Sequence, residues 1–197
     1  MNTQLISSIL LLALALPIKG CRNEAIAPSI SEYDCTKNSP HVLIPGTPGI
    51  TMKSSRCKDY IYTRKAMAAA IDVFAEIYGE EFNLNHLEVL ELLSNLKIEV
   101  SILPKTIANV YDLKGNFYKN PVPISGLAID KDHIWVEIKT SNIYNSALIH
   151  ELVHIIIWRA NVVHGDPDHE GKEFSGWSKK HTSLIERVNN TLMDLNI

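Results

Sequence analysis

Apolar residues recur at helical spacing in some stretches of the chain and at a spacing of two in others. From about Tyr62 to Tyr78, Met67, Ala70, Ile71, Phe74, Ile77 and Tyr78 return every three or four residues. That spacing predicts an amphipathic helix with one apolar stripe, stopped by Gly79. Asn85, followed three residues later by Glu88, has the form of a capping box. It opens a short second helix that carries Leu87, Leu90 and Leu93 to about Asn95. The period then falls to two: Ile98, Val100 and Ile102 alternate with Glu99 and Ser101, a strand ending at Pro104. Residues 105–125 are mixed and rich in turn formers. Gly126 to Lys139 reads as two strands joined around Asp130–Asp132. Ile134, Val136 and Ile138 share one face, and Trp135, Glu137 and Lys139 the other. A last helix, from about Ser175 to Leu195, gathers Leu184, Ile185, Val188, Leu192 and Met193 on one side. No internal repeat is visible.

The run from Ser146 to Trp158 differs from all of these. Positions 147 to 157 are apolar except for His150, Glu151 and His154. A helix apolar on every side is buried. Ser141, Asn142 or Asn145 is expected to cap it. Burying three polar groups is costly unless each finds a partner. His150-Glu151-Leu152-Val153-His154 reads H-E-x-x-H. On a helix, residues four apart lie one above the other, so the two imidazoles can hold one Zn²⁺. Glu151 then stands beside the metal as a base for water. The competing reading is a pair of core histidines bonded to backbone, with Glu151 at a solvent edge.

The element order is helix, helix, strand, paired strands, motif helix, loop, helix. It predicts an α+β fold, a small sheet packed on helices. With the H-E-x-x-H motif, residues 58–197 resemble a minimal zincin metallopeptidase domain. That resemblance implies a zinc-dependent hydrolase whose edge strand, just before the motif helix, holds an extended peptide or protein substrate by backbone pairing. Residues 126–139 stand at that place in the chain.

A catalytic zinc site needs a third protein ligand and an open position. Metzincins place a histidine where this chain has Ala160, so that branch is excluded. His169, in Asp166-Pro167-Asp168-His169 and followed by Gly171 and Phe174, resembles the third ligand of SprT-like metallopeptidases. An aspartate beside it, Asp166 or Asp168, would orient the ring. His164, followed by Gly165, resembles the same family's His-Gly step. Eighteen residues separate Glu173 from His154, the spacing of the aminopeptidase branch of gluzincins, and Glu170 is a fourth candidate. His181, Tyr144 and Tyr118 are candidate oxyanion donors. His41, His86 and His133 belong to no motif. A non-catalytic, zinc-stabilised binding module is the alternative function, and Glu151 favours catalysis over it, since a purely structural zinc site does not require that carboxylate.

The N-terminus adds a location. Leu5 to Leu16 is apolar apart from Ser7 and Ser8, a length suited to a signal-peptide core rather than a membrane span. Ile18-Lys19-Gly20-Cys21 resembles the lipobox of bacterial lipoproteins, with Lys19 departing from the usual small residue. It implies removal of residues 1–20 and a lipid on Cys21. Cleavage after Ala13-Leu14-Ala15 is the other route. Both lead to an exported domain, lipid-anchored at the cell envelope or secreted. Cys35 and Cys57 are the two cysteines left, and a disulfide between them suits an oxidising compartment. Residues 21–57, with Pro28, Pro40, Pro45, Gly46, Pro48 and Gly49, read as a tether or N-terminal loop. The net charge is −3, from 19 basic and 22 acidic residues. It argues against a nucleic-acid binder, which would show a basic patch or stripe.

Overall fold

The computed structural model describes residues 40–54, 60–111, 117–139, 142–161 and 177–197. Residues 1–20, assigned above to a signal peptide, lie outside the described residues, as do Cys21, Cys35, Cys57, His164, His169, Glu170 and Glu173.

The architecture is α+β. Strand β1 (Val42–Leu43) turns back into β2 (Thr51–Ser54). Two helices follow, α1 (Tyr60–Phe82) and α2 (His86–Leu92), then β3 (Lys97–Ser101). Four short strands come next: β4 (Lys105–Ile107), β5 (Val110–Tyr111), β6 (Phe117–Tyr118) and β7 (Val122–Ile124). The hairpin β8 (Gly126–Asp130) and β9 (His133–Glu137) leads through a 3-10 turn (Ile143–Asn145) into α3 (Leu148–Asn161). Helix α4 (Lys179–Asp194) closes the fold.

The main sheet has the order β1-β2-β3-β9-β8. Strands β2, β3 and β9 run parallel, and β8 lies antiparallel to β9 at the edge. Met52, Ile98 and Ile134 form one row across the parallel strands. With Val100, Val136 and Ala128, they join Met67, Ala70, Ile71 and Phe74 of α1 and the apolar residues of α3 in one buried core. The opposite face of β9 is closed as well. Trp135 is buried beneath Lys105, whose ammonium lies 4.9 Å from the ring centre. Buried Glu137 accepts from Ser125 Oγ at 3.1 Å and pairs with Lys139 at 3.3 Å.

Four expectations change. The tether assigned to residues 21–57 does not hold for 42–54: Val42–Leu43 and Thr51–Ser54 are strands of the sheet, with Ile44, Ile50 and Met52 fully buried. The Pro and Gly residues there make a turn, closed by Ile44 N donating to Ile50 O, with Gly46 and Gly49 at φ of 75° and 76°. Gly79 does not stop α1. The helix runs on to Phe82 and reverses at Asn83, which takes φ 56°. Gly79 is small for another reason, since a Cβ there would sit 2.6 Å from Leu84 O. The motif helix begins at Leu148, beyond Asn142 and Asn145, and Ser141 lies outside the described residues. Ser146 Oγ accepts from Leu148 N at 3.3 Å. Finally, the turn-rich stretch after Pro104 contains two small ribbons, β4 with β7 and β5 with β6. The capping box at Asn85 and Glu88 forms as expected.

No helix of the described residues is long and apolar enough to cross a membrane.

Candidate metal centre

Helix α3 is built almost wholly from core residues. Leu148, Ile149, Leu152, Val153, Ile155, Ile156 and Ile157 are all buried, which fixes the helix against the sheet. His154 is 1% exposed and Glu151 4%, while His150 is half-buried at the rim. The i, i+4 spacing does what the sequence suggests. Nε2 of His150 and Nε2 of His154 meet at 2.9 Å, with the rings 4.6 Å apart and nearly perpendicular.

That convergence is a test of fit for zinc. Two ring nitrogens bound tetrahedrally at about 2.0–2.1 Å would stand about 3.3 Å apart. The pair lies within a few tenths of an ångström of that spacing. Without an ion, one neutral ring donates a hydrogen bond to the other. Zinc binding requires both Nε2 atoms to be free of protons, and two imidazole nitrogens are a donor set that suits a divalent metal.

Glu151 faces the sheet edge. Gly126, the first residue of β8, lies so close that a Cβ on it would fall 2.9 Å from Glu151 Cδ and 2.6 Å from Ala147 Cβ. The carboxyl also receives a backbone hydrogen bond from Ala128 on the same strand. Burial pushes its pKa up to about 8, and the Ala128 bond offsets part of that rise. The reading that put Glu151 at a solvent edge does not hold.

Trp177 covers the pair from another side. Its ring centre is 5.0 Å from His150 and 5.0 Å from His154. His181, proposed as an oxyanion donor, sits one contact further on, 5.8 Å from Trp177 and stacked on Phe82 at 4.6 Å. Its Nδ1 accepts from Ser178 N at 3.0 Å, which places the ring proton of the neutral form on Nε2. Burial holds its pKa below the ordinary histidine value. Tyr144 accepts from Asn142 at 2.9 Å, and Tyr118 lies exposed on β6.

Among the described residues no third His, Cys, Asp or Glu completes a metal site. The three histidines without a motif lie elsewhere. His86 pairs with Asp72 at 2.8 Å and His133 with Glu99 at 3.5 Å. Burial lowers the pKa of His41, and the nearby Glu99 opposes that shift. Gly126 and Trp177 escaped the sequence reading. A glycine opening a strand was visible, but only the packed helix gives it a neighbour. Trp177 follows the ligand candidates without any motif of its own.

No protein-family model, curated protein or solved structure matches this chain. Its functional reading therefore stands on these residues and their geometry.

Proposed function

We propose that the chain is a zinc-dependent metallopeptidase of zincin type that hydrolyses peptide bonds. The observation that carries this is the convergence of the His150 and His154 Nε2 atoms, one helical turn apart on a buried helix. These two residues would hold the ion. His169 is the preferred third ligand, with His164, Glu173 and Glu170 as alternatives. A bound zinc supplies Lewis acidity, which brings water toward deprotonation at neutral pH and polarises a carbonyl.

The protein supplies the rest. Glu151 takes a proton from the attacking water and returns it to the leaving amine. Alone in its buried pocket it would hold its proton up to about pH 8. A divalent ion held by the imidazole pair would favour its ionised form, as a base requires. The peptide would lie along β8, whose outer side has no strand partner among the described residues. Since Gly126 and Ala128 of that strand touch Glu151, a bound peptide backbone would be held close to the base. The antiparallel edge strand beside the motif helix supports the zincin-like arrangement. Export and lipid anchoring through Cys21 belong to the same proposal; His181 stands behind Trp177 from the imidazole pair, so it is not carried forward as the oxyanion donor.

The test is incubation of the zinc-loaded chain with an unfolded protein substrate, beside Glu151→Gln. Cleavage by the wild type and none by the variant supports the proposal. Zinc uptake without any cleavage would favour the zinc-stabilised binding module instead.

A further inference from the structure

We infer that Trp177 is a positioning residue that holds both motif imidazoles in their converging orientation, an inference that rests on the metal reading above. A single indole touches both donors, tilted 50° to His150 and 41° to His154. The indole is itself held. Its Nε1 donates to Thr182 Oγ1 at 3.2 Å, on the first turn of α4. Behind it stand His181, then Phe82 at 4.6 Å from His181, then Tyr78 stacked on Phe82 at 4.4 Å. Rings from the last turns of α1 thus back the wall that faces the metal pair.

The physical effect is on rotamers and on water. A histidine on a helix has several χ1 wells and a broad χ2. A donor pair binds tightly only if both rings already converge, because ordering them on binding opposes it. Contact with a fixed indole narrows those choices for two rings together. The apolar ring also limits water around the donors and lowers the local dielectric, a lever on metal affinity comparable to the outer hydrogen bonds of a ligand. Trp177 touches no reacting atom in this account; it acts through His150 and His154.

The experiment measures Zn²⁺ affinity of the full chain by chelator competition, and the visible spectrum of the Co²⁺-loaded form, for wild type, W177F, W177L and W177A. W177A and W177L are expected to weaken zinc by about ten- to a hundredfold and to alter the Co²⁺ bands. W177F, which keeps an aromatic face, is expected to restore most of the affinity and the wild-type spectrum. W177L fills the space without a ring, so a zinc-free thermal midpoint near wild type separates positioning from loss of fold. Wild-type affinity and spectrum in W177L and W177A would overturn the inference, as would a loss in W177F equal to that in W177A. A wild-type chain that takes up no zinc removes the metal reading itself, a different failure from variants that bind as well as wild type.

Discussion

Gly126 of β8 and Glu151 of α3 meet so closely that no side chain fits at position 126: an added Cβ would stand 2.9 Å from the carboxyl carbon. The strand edge and the Glu151 carboxyl are therefore one packed unit. Gly126→Ala must displace Glu151, Ala147 or the strand. It is expected to destabilise the fold by about 1–3 kcal/mol, read from urea denaturation, and to lower hydrolysis while zinc content stays near wild type. Unchanged stability and activity would mean that this contact constrains nothing.

Glu151→Gln is expected to keep zinc and abolish cleavage. It has a second signature in the metal-free chain. The folded carboxyl holds its proton to about pH 8, against 4.5 for the ordinary value. Between those values the folded state binds more protons than the unfolded state, so its contribution to stability is complete below pH 4.5 and is lost as pH rises toward 8. Chelator-treated wild type should lose stability across that interval, and the Gln variant should show a flatter profile. Parallel profiles would place Glu151 in a more solvated setting than its burial implies.

His181 carries the opposite sign. Burial lowers its pKa below 6.5, and its Nδ1 must stay unprotonated to accept from Ser178 N. The unfolded chain takes up a proton near 6.5 where the folded chain resists it, so stability contributed here falls as pH drops below 6.5. Gln also suits the capping-box position three residues after Ser178. Thermal melts of His181→Gln should therefore lose part of the acid slope while the midpoint at neutral pH stays close to wild type. An unaltered acid slope would contradict this assignment.

Arg159 ties the far end of α3 to two loops. Nη1 donates to Leu92 O and Ser94 O at 2.8 and 2.9 Å, Nε donates to Lys131 O at 2.7 Å, and Nη2 pairs with Asp132. Lysine cannot reproduce that fork. Arg159→Lys is expected to cost about 1.5–3 kcal/mol, measured in urea, with zinc affinity little changed. A cost below the error of that measurement would show the bonds to be incidental.

What was legible in the sequence was local. The capping box at Asn85 and Glu88, the hairpin around Asp130–Asp132 and the convergence of His150 and His154 are set by residues within a few positions of each other, and period and spacing encode them directly. What escaped depends on distant partners. Ile50 and Met52 alternate with Thr51 and Lys53, but the surrounding Pro and Gly of a tight turn resemble a linker until β3 provides a neighbour. Gly79 has the composition of a helix stop, yet it answers to the close approach of Leu84. Arg159 reads as a helix-end charge, and only the loops from α2 and the β8–β9 turn reveal its role. Trp177 is sixteen residues beyond the motif helix, with nothing in its local pattern to link it to the histidines.

The central claim is that His150 and His154 jointly hold one zinc ion. Elemental analysis of the purified chain tests it most directly, wild type beside His150→Ala, His154→Ala, His169→Ala and Glu173→Ala. The account predicts equimolar zinc in the wild type, its loss in both motif variants, and its weakening in whichever downstream variant removes the third ligand. Wild type without zinc, or motif variants that retain it in full, would contradict the account.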